Sequence, residues 1–286
     1  MILVTGATGH LGSATLNFLL KKRPASQLAA LVRDERKAAN LKENGIDIRV
    51  GSYDDTASLD RAMQGVETVL LIAGTDEVNR LQQHQNVVNA AHKAGVYRIA
   101  YTSRALKDRS TLVNRLMDGH FQTEDYIKAS GMTYTLFQNI LYMDTIPQFV
   151  GPAVFDTGIH LPTGYGRVAF ALRDDMGEAM ANALAAGGSD NNVYRLTGSE
   201  AYSFTDVAVT LTDLSGKKVD YTPAETSAFE TGLKGRGLPE VMIQRITGFL
   251  TDIKNGQEAD VSHDMENLLG RKPVSLKNGL KTLYNL

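Results

Sequence analysis

The sequence predicts an α/β protein: a doubly wound parallel sheet with a smaller, mainly helical C-terminal domain. Three observations carry this prediction. Short aliphatic runs alternate with longer helical patterns through the first half of the 286 residues. A glycine-rich segment, Gly6 to Gly12, joins the first run to the first helical pattern. Near residue 145 the rhythm gives way to a stretch punctuated by glycine and proline.

The runs Ile2–Thr5, Leu28–Val32, Ile46–Val50, Thr68–Ala73, Arg98–Thr102 and Thr133–Phe137 are mostly apolar throughout rather than alternating. Strands whose two faces are both covered by helices read this way, which points to a parallel sheet. Leu11, Ala14, Phe18 and Leu19 form one apolar stripe at helical spacing, so the segment after the first run is a helix facing that sheet. Gly45, Gly65, Gly95 and Gly131 each follow a helical pattern and precede a strand, where a left-handed residue closes a helix. Beyond residue 145, Pro147, Gly151, Pro152, Gly158, Pro162, Gly164 and Gly166 break the chain into loops, with Val168–Leu172 as a short strand candidate. A helix then begins near Asp174 and Asp175 and runs to Ala186, followed by a strand at Val193–Leu196. From Phe204 the chain is mainly helical, with Ser203 or Thr205 as N-cap and Gly216 as a stop. The predicted division is a nucleotide-binding domain over 1–146 and a smaller substrate domain over 147–286. The segment 174–196 is a candidate to return to the first sheet.

Composition narrows the functional classes. With 43% hydrophobic and 22% charged residues the chain can bury a full core. Thirty basic residues against 32 acidic ones leave a net charge of −2, so no basic field exists to hold a nucleic acid backbone. No cysteine is present, which excludes disulfides, thiolate metal sites and a cysteine nucleophile. His10, His84, His92, His160 and His263 show no paired ligand spacing, and no metal is expected. No stretch approaches the ~18 apolar residues of a membrane span, and no basic segment precedes the apolar start, so the expected location is the cytoplasm, away from membranes.

The segment Gly6-Ala7-Thr8-Gly9-His10-Leu11-Gly12 lies between the first strand and the first helix. Glycines there let the backbone turn tightly and approach a pyrophosphate, and the N–H groups of the helix start bind its charge. The spacing is G-x-x-G-x-x-G, and its place in a βαβ unit marks a Rossmann-type dinucleotide site. The residue after the second strand discriminates between nucleotides: an acid there accepts from ribose hydroxyls, an arginine pairs with a 2′-phosphate. Here it is Arg33, followed by Asp34, Glu35, Arg36 and Lys37. NADPH is therefore the expected cofactor, with NADH as a weaker alternative; an ordinary surface arginine is the competing reading. Ala73 and Gly74, after the fourth strand, offer a small-residue ledge beneath the cofactor.

Gly6–Gly12, the stretch Pro24-Ala25-Ser26-Gln27 leading to Val32-Arg33, Tyr101-Thr102-Ser103, His120-Phe121-Gln122-Thr123-Glu124, Asn139 with Tyr142, and Ser215-Gly216-Lys217-Lys218-Val219 carry a resemblance to a known family. The chain resembles the NmrA-like atypical short-chain dehydrogenases, and more narrowly the bacterial quinone and triphenylmethane dye reductases among them. The resemblance runs nearly end to end and is densest in the first 145 residues. It implies a Rossmann domain with NADPH along the strand tips and a small C-terminal domain closing a substrate cleft over the nicotinamide. Three positions depart from the family pattern: Ser52 stands where an aspartate usually precedes Tyr53, Gln138 where an arginine precedes Asn139, and Arg104 follows Ser103.

None of the 11 tyrosines is followed four residues later by lysine. The phenol–ammonium pair that moves a proton to or from an alcohol oxygen is thus missing. A quinone or cationic dye is already strongly electrophilic, so hydride transfer to it depends mainly on positioning. The candidate catalytic residues are Ser103, at the end of the fifth strand, His120 and Tyr142. His120 and Glu124 are spaced to hydrogen-bond along one helix face. Ser103 is placed to bond a carboxamide or an acceptor oxygen, and helix capping is its plain alternative. Gln138, Asn139 and Tyr142 follow the sixth strand toward the nicotinamide end, and Tyr142 can stack on a planar acceptor or simply fill a core. Two functions stay open: a reductase of a planar, quinone-like small molecule, and a nucleotide-binding redox sensor without turnover. Monomer and homodimer also stay open.

Overall fold

The computed structural model describes residues 1–76 and 78–286, and every side chain among them except that of Leu116. Two compact units result. Unit 1 comprises Met1–Arg104, Asp118–Asn139 and Arg173–Arg195; unit 2 comprises Ala105–Met117, Ile140–Leu172 and Leu196–Leu286.

Unit 1 is built on strands β1 (Ile2–Val4), β2 (Leu28–Val32), β3 (Asp47–Val50), β4 (Thr68–Leu71), β5 (Arg98–Arg104) and β6 (Thr133–Asn139). Helices α1 (His10–Leu20), α2 (Ala39–Glu43), α3 (Thr56–Ala62), α4 (Arg80–Lys93) and α5 (Asp118–Ala129) connect them. The sheet order is β3-β2-β1-β4-β5-β6, and every one of these neighbours pairs in parallel. The Asn192–Leu196 strand adds a seventh position beside β6. β1 and β2 are buried along their whole length, as strands covered on both faces must be. Strand order reverses between β1 and β4, and ligands of such sheets gather at the carboxyl ends on either side of that point.

Two strands differ from their predicted extents for a shared reason. The run Ile2–Thr5 is strand only to Val4, and Thr68–Ala73 only to Leu71. Beyond those points the Ile72 N–H donates to Thr5 Oγ1 (3.0 Å) and the Ala73 N–H to Thr102 Oγ1 (2.9 Å), so side chains replace the ladder. β5 and β6 instead run longer than predicted, because Ser103 and Arg104 continue in register with Gln138 and Asn139. The four glycines expected to close helices, Gly45, Gly65, Gly95 and Gly131, all have φ between 69° and 80°.

The Arg173–Ala186 helix packs on α1. A Cβ at Gly177 would stand 2.7 Å from the Ala14 Cβ and 3.0 Å from the Thr15 nitrogen, so the two helices meet nearly backbone to backbone.

Unit 2 carries two small sheets. Ile159–Leu161 pairs in parallel with Tyr221–Pro223, and Arg167–Val168 pairs antiparallel with Tyr202–Ser203. The predicted strand Val168–Leu172 is strand only at Val168, opposite Tyr202; beyond it the backbone of Ala169 turns to Glu258 and Gly198, and Ala171 makes an isolated bridge to Tyr142. Ser203, not Thr205, caps the Phe204–Ser215 helix, in a capping box with Asp206. Gly216 ends that helix at φ 70°. The buried Asp252 carboxylate accepts the N–H groups of Val113 (2.7 Å) and Asn114 (2.9 Å), which ties the 105–117 segment to the Glu240–Lys254 helix. Among the described residues, no helix is long and apolar enough to cross a membrane.

The close approach at Gly177 yields a stability prediction. Gly177→Ala should lower unfolding free energy by about 1–3 kcal/mol, the usual range for overpacking, read as a lower urea midpoint at unchanged slope.

Candidate active site

The turn from β1 into α1 builds an anion cradle. Gly6 adopts φ +56°, and its carbonyl accepts the Gly9 N–H at 3.0 Å. A Cβ at position 12 would lie 2.4 Å from the Gly6 oxygen and 2.9 Å from the Ala7 α-carbon, so only glycine fits there. Gly9 caps α1 without a side-chain acceptor, and the first turn holds no acidic residue. The N–H groups at the start of α1 are therefore left without a side-chain acceptor, at the positive end of the helix dipole. Thr8, Gly9 and His10 are exposed, whereas Ala7, Leu11 and Gly12 are buried beneath them.

Arg33 follows β2 and is exposed. The acids beside it are already neutralised. Asp34 takes a bidentate pair from Arg36 at 2.9 Å for each contact, which with the Arg36 backbone N–H holds its carboxyl below the ordinary aspartate range. Glu35 is paired with Lys42 at 2.7 Å. Arg36 is thus committed to Asp34, and Arg33 makes no hydrogen bond or ion pair among the described residues.

At the end of β4, Ala73 and Gly74 are half-buried. The Gly74 N–H donates to His84 Nε2 (3.0 Å), and the Gly74 carbonyl accepts from Arg80 Nε (3.1 Å). Because Nε2 accepts, the ring proton of neutral His84 is on Nδ1, which donates to Thr123 Oγ1 (2.9 Å); the Thr123 hydroxyl donates in turn to the Gly119 carbonyl (2.7 Å). Burial, reinforced by the Arg80 charge, pushes the His84 pKa down to about 3. Arg80 and His84 are buried polar residues of α4 that sequence reasoning did not single out.

Ser103, 2% exposed on β5, has a buried Oγ without a hydrogen-bond partner among the described residues. A buried hydroxyl left unmade is costly, and a ligand polar group is one way to complete it. Its register partner Gln138 donates to Glu124 Oε1 at 3.1 Å. Asn139 is buried at the end of β6.

The expected His120–Glu124 pairing does not form. His120 Nδ1 meets the Tyr101 hydroxyl at 3.0 Å, while Glu124 binds Gln138 and, at 3.4 Å, Lys128. β5 and β6 supply better-placed partners than the next helical turn. Burial first, then the charges of Arg80 and Arg104, holds the His120 pKa well below the ordinary histidine value, so the ring is neutral at neutral pH. Tyr142 belongs to unit 2, where its backbone bridges to Ala171.

These features fit a dinucleotide: a glycine-only cradle at a helix start, an unspent cation after β2, and a buried unpartnered hydroxyl at a strand end. Comparison with known proteins points the same way. A model of the NmrA-like family matches residues 1–283. Quinone oxidoreductase 2 of Escherichia coli K12 is 37% identical over 287 positions, spanning 100% of this chain and 99% of the relative. A crystal structure of an NADPH-dependent quinone oxidoreductase from Escherichia coli, in complex with NADPH, aligns with a TM-score of 0.93 at 36% identity, over 100% of both chains. Triphenylmethane reductase of Citrobacter sp. aligns with a TM-score of 0.91 at 34% identity, over 100% of this chain and 99% of that one.

The buried histidines set a pH dependence. His84 is neutral in the fold but takes a proton in the unfolded chain below about pH 6.5, so the unfolded state binds more protons and stability falls as pH drops from there toward about 3. Urea unfolding at pH 7 and pH 5 should show that drop, and His84→Gln should remove roughly 2 kcal/mol of it.

Proposed function

The chain belongs to the NmrA-like family, and from that premise we propose that it is an NADPH-dependent reductase delivering hydride to a quinone or a similar flat electrophile, dyes included. The observation that carries the reading is the cradle of Gly6, Ala7, Thr8, Gly9, His10, Leu11 and Gly12, with its uncapped helix start, beside an Arg33 whose acidic neighbours are already paired.

Each residue then has a stated task. The backbone N–H groups of the cradle hold the pyrophosphate. Arg33 pairs with the 2′-phosphate, which makes NADPH preferred and NADH the weaker cofactor. Ala73 and Gly74 support the nucleotide beyond β4, and Gln138 and Asn139 meet its nicotinamide end. When bound, the cofactor supplies the hydride. The Ser103 hydroxyl donates to the carboxamide or to an acceptor oxygen, completing the bond its Oγ otherwise lacks. Tyr142 offers an aromatic face on which a planar acceptor stacks. His120, neutral and bonded to Tyr101, serves as a fixed wall more readily than as a proton source. An electrophilic acceptor needs little acid assistance, so positioning supplies most of the rate. The proposal places this activity in the cytoplasm.

The test is steady-state oxidation of NADPH with a panel of benzoquinones and triphenylmethane dyes. Tight nucleotide binding with no acceptor-dependent turnover would replace the reductase reading with a nucleotide-sensing one. Arg33→Ser should raise the KM for NADPH at least about tenfold, roughly 1.4 kcal/mol, while changing that for NADH less than about twofold. Equal losses would reject the 2′-phosphate role. Ser103→Ala should lower kcat/KM by about tenfold or more yet leave Tm equal or higher, because the hydroxyl it removes is buried and unsatisfied. A lowered Tm with unaltered turnover would assign Ser103 to the fold instead.

A further inference from the structure

We infer that Thr5, Tyr53, Arg80, His84 and Thr102 are positioning residues for nucleotide binding, which act by clamping the backbone of residues 72–74 into a rigid ledge against the phosphate cradle. The inference rests on the nucleotide-binding reading given above and adds to it the side chains that shape the ledge without lining the cradle.

Six backbone polar groups leave β4 at Ile72, Ala73 and Gly74, and five are held by side chains. The Ile72 N–H donates to Thr5 Oγ1 at 3.0 Å, and the Ile72 carbonyl accepts from the Tyr53 hydroxyl at 2.9 Å. The Ala73 N–H donates to Thr102 Oγ1 at 2.9 Å. The Gly74 N–H donates to His84 Nε2, and its carbonyl accepts from Arg80 Nε. Only the Ala73 carbonyl lacks a partner among the described residues. The clamps come from four places in the sequence: the end of β1, the loop after β3, α4 and β5.

The clamps are themselves braced. The Thr5 and Tyr53 hydroxyls bond each other, Asn86 Nδ2 donates to the Tyr53 carbonyl at 2.9 Å, and Thr123 fixes the His84 ring. Thr5 immediately precedes Gly6, and a Cβ on Gly6 would sit 3.3 Å from the Ile72 Cβ, so ledge and cradle share one packed surface. A strand simply ending in a loop needs no such arrangement, because loop peptides are ordinarily satisfied by water. Holding five of these six polar groups removes the freedom the segment would otherwise lose on binding, which is how preorganisation gains affinity. It also directs the ledge's single unspent backbone acceptor to whatever lies above it.

The test compares nucleotide dissociation constants, by fluorescence titration at pH 7, for the unaltered protein, His84→Leu, His84→Gln and Thr102→Val, with melting curves for each. His84→Leu removes the acceptor for the Gly74 N–H at similar volume; His84→Gln returns an acceptor near the Nε2 position. His84→Leu and Thr102→Val are expected to weaken NADPH and NADH alike, each by about tenfold, with His84→Gln within about threefold of the unaltered protein. That shared loss differs from the NADPH-selective loss of Arg33→Ser. Should His84→Leu fail to fold, the near-isosteric Thr102→Val carries the measurement. Folded variants that bind both nucleotides as the unaltered protein does, whatever their Tm, would overturn the clamp while leaving the nucleotide reading intact. Failure of the unaltered protein to bind NADPH would overturn that reading itself, and the clamp with it.

Discussion

The α1 backbone enters its first turn so close to the Gly6 carbonyl that position 12 has no room for a Cβ, the hypothetical atom falling 2.4 Å from that oxygen. Much of the site depends on this contact. It brings the helix start down onto the strand tip, where no side chain caps its N–H groups. Thr5 ends beside the same turn, where its hydroxyl reaches the first peptide beyond β4 instead of continuing a strand. A side chain at position 12 would lift the helix, and with it the whole relation between cradle and ledge.

The second determinant is a set of polar groups buried behind the strand tips. His84 on α4, His120 and Thr123 on α5 and Tyr101 on β5 are all buried, and the two histidines are held neutral by burial and by nearby arginines. The His84 and Tyr101 rings meet edge-on, with centroids 5.3 Å apart, so the cluster packs as well as bonds. Burying polar groups is tolerable only when their bonds are made, and here most are. Ser103 Oγ stands out against that background as a group the fold alone leaves incomplete.

The alternation of apolar runs and helical patterns was enough to read the sheet, because burial on both faces writes itself into each strand independently of its neighbours. The glycine cradle was legible for the same reason: its chemistry is local. His84 was not, because α4 has a weakly apolar sequence, Arg80-Leu81-Gln82-Gln83-His84, in which the polar residues read as solvated, yet Arg80, Gln83 and His84 are buried. Their burial depends on partners outside the helix: Gly74 in the segment just before it, and Asp54 and Thr123 from segments further away along the chain. The His120–Glu124 pairing shows the converse: helical spacing made it plausible, but Tyr101 and Gln138 on adjacent strands won the two side chains. Where a bond is decided by tertiary neighbours, spacing along one helix is a poor guide.

Unit 1 is discontinuous in sequence: its last piece, Arg173–Arg195, arrives after residues that belong to unit 2. That piece brings the helix against which Ala14 and Thr15 of α1 pack, and Gly177 shows how tightly it must seat. During synthesis at about 5–20 residues per second, α1 emerges early while its covering helix is still unmade, and the unit cannot close before residue 195 has left the ribosome. The intervening loop must then be drawn shut, an entropic cost that slows nucleation more than it weakens the finished fold. The first helix to be made is therefore among the last to be covered.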